Sequence, residues 1–375
     1  MDLELSAEQE ELADSARQFL AAQCPMSLVR QVVEEGKRAD DLWAAMVALD
    51  WPSLAVPEEH GGIGLGQVEL AVVAEQCGRV LAPVPWLATA TQFVPAIVEA
   101  GSPAQRQRFL SAVSGGTVGT LAVAEVGGRY GAADTCALAT PTDGGWRLEA
   151  DKHEVLDPGW AEEVVVSARL PGTSGGDGVG LFVVPQSALT LQPVHALDAT
   201  RQLATVVLDG VEVEADRALG RPGHMAGIVD RVMERAAVAL CAEAVGTSQA
   251  IFDTVLAYVK EREQFGVKIG SFQAMKHKLA NMFVALEAAR ATAYFAAAAI
   301  DEDDERRTEA MSVAKSATAD CQKLIAQEGI QCLGGIGYTW EHDMHLYVKR
   351  QKVQAALFGT GAQHRAALAD RLGLR

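Results

Sequence analysis

Three side chains in the run Glu261 to Ala280 (Glu-Arg-Glu-Gln-Phe-Gly-Val-Lys-Ile-Gly-Ser-Phe-Gln-Ala-Met-Lys-His-Lys-Leu-Ala) are typed and spaced for joint chemistry: Arg262, Phe265 and Gln273. A guanidinium, an aromatic face and an amide so close in sequence suit a pyrophosphate and a planar heterocycle, because arginine meets phosphate with a fixed fork of donors. The same spacing also fits a plain helix terminus with a solvated arginine. Two other runs carry possible chemistry. The glycine-rich stretch Val56-Pro57-Glu58-Glu59-His60-Gly61-Gly62-Ile63-Gly64-Leu65-Gly66 lacks the Lys-Ser/Thr of a phosphate loop and the strand that precedes a dinucleotide turn, so both are rejected. His342-x-x-His345 with Glu341 does not have the usual ligand spacing on a helix, and no metal is expected.

These residues need elements to hold them. Apolar periodicity predicts helices over about 26–49, 67–80, 87–100 and 103–113, after a first helix opened at Ser6 by a capping box with Gln9. Between about 117 and 223, short Val/Leu runs alternate with Gly, Asp and Pro, which marks a small β-barrel or sandwich. Helical texture returns over about 224–262, 271–301, 305–333, 340–354 and 360–371, enough for a four-helix bundle with a short tail. Gly266 is expected as the left-handed cap of the first of these helices, and Ser271 as the N-cap of the second. The predicted fold is α+β and mostly α: an N-terminal helical domain (1–116), a central β domain (117–223) and a C-terminal bundle (224–375).

The corner resembles the acyl-CoA dehydrogenase family, whose members read Arg-x-x-Phe-Gly-x-x-(Ile)-x-x-(Phe)-Gln there. A second match follows in the right order: Gln331-Cys332-Leu333-Gly334-Gly335-Ile336-Gly337-Tyr338 is similar to Gln-x-(Leu/Phe)-Gly-Gly-x-Gly-(Tyr/Phe). The loop at 57–64 is similar to the family's Pro-Glu-x-x-Gly-Gly-x-Gly. The resemblance implies FAD as cofactor, an acyl-CoA thioester as substrate and an electron-transfer flavoprotein as acceptor. It also implies that a carboxylate removes the α-proton while the β-hydrogen leaves as hydride. It places Arg262, Gln264, Phe265, Phe272, Gln273, Gln331, Gly334, Gly335 and Thr360 on the positions that grip the ADP half of FAD, a grip that in this family reaches the neighbouring subunit's cofactor. Gly334 and Gly335, without Cβ, let the backbone close on a phosphate or ribose; as a pair they also read as a helix cap.

The rest of the family's chemistry is depleted. Where members carry Thr-Glu-Pro-Gly-x-Gly-Ser against the flavin ring, this chain has Ala124-Glu125-Val126-Gly127-Gly128-Arg129-Tyr130, which loses both hydroxyls. The aromatic Trp-Ile-Thr motif becomes Glu154-Val155-Leu156, with Trp160 nearby. The usual catalytic Glu before Gly-Thr is Phe358, and the family's second base position is Ala236. Glu234 is a weak candidate, because helix residues i and i+2 point roughly 200° apart; Glu243 is read as structural.

A retained ADP grip, an eroded ring site and a missing base imply a subunit that completes a homologous catalytic chain's FAD site in a dimer-of-dimers tetramer. One alternative is a self-sufficient homotetrameric dehydrogenase with Glu234 as a relocated base. Another is a non-catalytic scaffold that binds acyl-CoA or a partner. The run 338–347 is similar to a branch of the family that takes bulky thioesters, such as those of sterol side chains and dicarboxylates. The formal charge of −17 over 375 residues argues against nucleic acid or an anionic membrane as partner. Six scattered cysteines read as buried thiols in a reducing compartment. With no signal-peptide core and no uninterrupted apolar run of about 18 residues, a cytoplasmic protein is expected.

Overall fold

The computed structural model describes residues 4–374. The chain opens with helices α1 (Ala7–Gln23), α2 (Met26–Glu35), α3 (Asp40–Val47), α4 (Gln67–Arg79), α5 (Trp86–Ala88), α6 (Val94–Ala100) and α7 (Pro103–Ser114). Strands follow: β1 (Gly119–Ala122), β2 (Leu138–Thr142), β3 (Gly145–Leu156), β4 (Glu163–Arg169), β5 (Val179–Pro185), β6 (Thr190–Val194), β7 (Leu203–Glu214) and β8 (Ala218–Gly223). It closes with α8 (Ala226–Glu261), the short strands β9 (Glu263–Gln264) and β10 (Val267–Lys268), α9 (Gln273–Asp301), α10 (Arg307–Leu333), α11 (Met344–Ala356) and α12 (Gly361–Arg371). The helix, β, helix order is the one expected. The helix predicted over 26–49 is two, because Gly36 turns left-handed at φ +66° and ends α2. A π-helical turn over Thr89–Phe93 interrupts the one predicted over 87–100.

By contact the chain gathers into two units. One takes the N-terminal stretch to Lys37, Ala71–Ala82 and everything from Ala237 on. Here α4 and α8 cross with almost no space between their backbones. A Cβ on Gly78 would fall 2.0 Å from the Glu243 carbonyl oxygen, and one on Gly246 would fall 1.8 Å from that of Glu75. Only glycine permits that approach. α9 buries Met282, Leu286, Ala289, Ala293, Ala296 and Ala297 along one stripe. Its other side leaves Phe283 and Val284 exposed. By length and composition α9 is apolar enough to cross a membrane, yet only 39% of its most apolar window is buried in this chain.

The other unit runs over Arg38–Leu70 and Pro83–Ala236. Its sheet has the order β6-β7-β3-β2-β4-β5-β8, with β1 parallel to β4. The long pair β3/β7 slips register between Lys152 and Val155. That bulge sets Glu154 at φ +54°.

Candidate cofactor site

α8 ends at Glu261 and the chain turns back in a two-residue hairpin, β9 against β10. Phe265 (φ +55°) and Gly266 (φ +77°) form its turn, both left-handed as a type I′ turn requires. Gly266 is therefore a turn residue and not the helix cap the sequence suggested. The hairpin is closed at its base, where Ile269 N–H donates to the Arg262 carbonyl at 2.9 Å. The N-cap of α9 is Phe272, because Ser271 sits one residue earlier in a 3-10 turn and its hydroxyl donates to the Lys268 carbonyl at 2.7 Å.

Phe265 is 94% exposed. A left-handed phenylalanine costs about 1 kcal/mol against glycine, and among the described residues its ring gains only an edge contact to Phe272 at 6.3 Å. Such an outlier points to something outside the chain that uses the ring. Arg262, Gln264, Phe272, Gln273, Gln331, Gly334 and Gly335 are exposed as well. Among the described residues none pairs with the Arg262 guanidinium.

Lys278, early in α9, forms an ion pair with Glu328, late in α10. The two helices run antiparallel there, so Gln273 and Gln331 lie at one end of the pair, beside the hairpin. Gly334 ends α10 at φ +65°, ψ −140°, backbone that only glycine takes readily. Gly335 needs no such freedom, and a Cβ on either would meet nothing within 4 Å. The cap accounts for Gly334, and among the described residues nothing requires glycine at 335. Thr360 is the exception. It caps α12, accepting from Gln363 N–H at 3.3 Å, and α12 is tied to the middle of α10 through Arg365 and Asp320 at 3.2 Å. That point is roughly 16 Å along α10 from Gln331, so Thr360 is not part of this end.

The β domain's loop after β1 is turned inward. Glu125 accepts from the backbone N–H of Cys136 at 2.9 Å and of Ala137 at 3.0 Å, and from Lys152 Nζ at 2.6 Å. Lys152 is fully buried and also donates to the Val123 carbonyl at 3.1 Å and Ser167 Oγ at 3.0 Å. Burial pushes its ammonium down to about 8 against the pull of Glu125. Burial alone would raise Glu125, but Lys152 and the two N–H groups outweigh it and hold the carboxyl below its ordinary value. Glu154 accepts from Tyr130 Oη at 2.6 Å. Trp160 is buried, its ring 3.7 Å beneath the Arg38 guanidinium, and does not replace a flavin plate. A cavity of about 650 Å³ opens here, lined by Glu125, Asp134, Cys136, Glu149, Asp151 and Asp209. Five carboxylates oppose an anionic cofactor. Cys136 is exposed, contrary to the expectation of buried thiols, and the other five cysteines are buried.

At the base position, Phe358 is 6% exposed with φ +57°. Its carbonyl accepts from His364 Nε2 at 2.9 Å, and that of Leu357 from Lys315 Nζ at 2.7 Å. Glu234 is buried on α8, which is regular through this stretch, so it points away from the fully buried Ala236. Glu243 pairs with buried Arg350 at 2.8 Å and is structural. His342 Nδ1 accepts from Met344 N–H at 3.0 Å while His345 stacks on Trp340, so the two imidazoles do not converge. The residues present fit the ADP half of FAD and do not fit its ring.

Comparison with known proteins gives two family profiles: "Acyl-CoA dehydrogenase, N-terminal domain" matches residues 6–117 and "Acyl-CoA dehydrogenase, C-terminal domain" matches 227–373. The chain is 34% identical over 362 residues to acyl-CoA dehydrogenase FadE34 of Mycobacterium tuberculosis, covering 92% of this chain and 45% of that protein. It thus spans about half the length of that relative. It is 29% identical to acyl-CoA dehydrogenase IpdE2 of the same organism, over 93% of this chain and 92% of that one. Among solved structures, the steroid ACAD Tcur3481-Tcur3483 superposes with a TM-score of 0.86 at 29% identity, over 98% of each chain.

Proposed function

The chain belongs to the acyl-CoA dehydrogenase family of FAD-dependent oxidoreductases, and from that premise we propose that it completes the FAD site of a homologous catalytic partner and supplies no base itself. Held there, FAD would supply a hydride acceptor for the β-hydrogen of an acyl thioester as the α,β-double bond forms. Arg262 would fork onto the pyrophosphate, with Gly334 and Gly335 giving it backbone access, and Phe265, Phe272 and the amides of Gln264, Gln273 and Gln331 would line the rest of the ADP half. The α-proton would go to a Glu of the partner chain. A steroid-derived thioester is the proposed substrate class, and an electron-transfer flavoprotein the proposed acceptor.

The observation that carries this reading is Phe358: the turn that should present a carboxylate presents a buried phenyl ring. The uncovered apolar side of α9 supports a second chain packed against the bundle. Two relatives point the same way. FadE34 has room for a second chain of this size, and the steroid ACAD is named for two gene products.

The test is the visible absorption spectrum of the purified chain. Alone it should be colourless, and it should turn yellow on co-expression with a homologous chain that carries Glu-Gly-Thr at the base position. A stoichiometric flavin band on the chain alone, bleached by an acyl-CoA, would overturn the proposal.

A further inference from the structure

Resting on that half-site reading, we propose that Arg30 is a positioning residue for the cofactor: it fixes the Gly334–Tyr338 turn by gripping the strap that follows it. Its Nε donates to Asp343 Oδ1 at 2.7 Å and its Nη2 to the carbonyls of Trp340 at 3.0 Å and Glu341 at 3.2 Å. Its Nη1 donates to Glu34 Oε1 at 3.1 Å, one helical turn along α2, and that same oxygen accepts from Trp340 Nε1 at 3.3 Å. One guanidinium therefore ties four groups. Three of them lie on a strap, 339–343, that has no regular secondary structure of its own to hold its dihedrals.

The strap is coupled to the turn directly. Thr339 N–H and Oγ1 both donate to the Ile336 carbonyl, at 3.1 and 3.0 Å. On the other side Gly337 packs so close to α10 that a Cβ would lie 3.0 Å from Leu333 Cβ. The exposed glycines 334 and 335 thus sit between two fixed points, the end of α10 and the Arg30 grip. Trp340 adds a third hold, stacked on His345 at 4.3 Å and 22° with Lys349 Nζ 4.5 Å from its ring.

Two features separate positioning from bulk stability. The ion pair to Asp343 is partly solvated, with side chains 24% and 39% exposed, and pairs of that kind add little to global stability. The acceptors are separate carbonyls and a carboxylate, an arrangement that suits a planar fork of donors and not a single ammonium. A small displacement of a backbone cradle, by contrast, is felt strongly by the group it holds.

The experiment uses the assembly co-expressed with the Glu-Gly-Thr chain, stripped of flavin and titrated with FAD by flavin fluorescence. Arg30→Met should raise the FAD Kd about tenfold while the Tm of the flavin-free assembly stays near that of the parent, and Arg30→Lys should recover little of the loss. If Arg30→Met does not assemble, Asp343→Asn removes one ionic contact at the same shape and should shift the Kd in the same direction. Arg262→Ala serves as reference. Unchanged FAD affinity in Arg30→Met beside a loss in Arg262→Ala would overturn the role of Arg30 and leave the half-site reading standing. Unchanged affinity in both would overturn the half-site reading and this inference with it. A weaker Kd accompanied by an equally large fall in Tm would make Arg30 a structural residue only.

Discussion

The hairpin corner after α8 and the loop after β1 are the two places where the family resemblance leads one to expect cofactor contacts, and they have been built in opposite ways. At the corner, polar and aromatic groups face outward: Arg262 has no partner among the described residues, and Phe265 holds a strained turn without burying its ring. At the β1 loop, the charged groups spend their hydrogen bonds on the chain itself, with Glu125 on Lys152 and on two backbone N–H groups, and Glu154 on Tyr130. A region held open for a ligand would leave its arginine unpaired and accept local strain. A region released from that duty closes on itself and contributes to stability.

Substitutions should divide along that line. Lys152→Met should give the largest effect, lowering unfolding stability by about 3–5 kcal/mol by breaking a buried pair. Folded Lys152 titrates near 8 and an unfolded lysine near 10.5, so the unfolded chain binds more protons across that window. Wild-type stability relative to the variant should therefore rise between pH 8 and 10.5, and denaturant melts at several pH values would show it. A flat difference would mean Lys152 is not buried as a cation. Next, Arg262→Ala should leave the melting curve alone and weaken FAD retention by the assembly about 10- to 100-fold, the worth of a charge-assisted pair of ~1.5–3 kcal/mol. Flavin content measured after gel filtration decides it; full retention would break the contrast. The smallest effect has opposite signs in two assays. Phe265→Asn, a residue that tolerates the left-handed turn, should stabilise the isolated chain by about 1 kcal/mol and loosen FAD in the assembly. A loss of stability would show that the phenyl ring works within its own chain.

Most of the architecture was legible in the sequence because it rests on local signals: capping boxes, apolar periodicity and runs of valine between glycines. The corner was legible as chemistry but not as shape. Nothing in a Phe-Gly pair announces a type I′ turn, whose first position ordinarily takes Asn, Asp or Gly, and the two-residue strands beside it are too short to carry a pattern. α11 was expected from 340 and begins at Met344, because the residues before it are held off the helix by Arg30, far away in sequence. The Glu125–Lys152 pair was missed for the same reason: a lysine in a strand reads as a solvent-facing residue until its partner in another element is known. Contacts between distant segments leave no periodic trace in the chain.

The first unit has a consequence for how the protein is made. α1, α2 and the stretch Ala71–Ala82 belong with residues that follow Ala237, and Arg30 finds its acceptors only at the strap before α11. At a synthesis rate of about 5–20 residues per second, the opening helices wait on the order of 15–60 s at the ribosome before the acceptors of Arg30 exist. The second unit, whose segments end at Ala236, has all of its own chain in hand before that interval ends. The amphipathic N-terminal helices are thus the part of the nascent chain that most needs a chaperone, and a pause in translation after α8 would prolong that exposure.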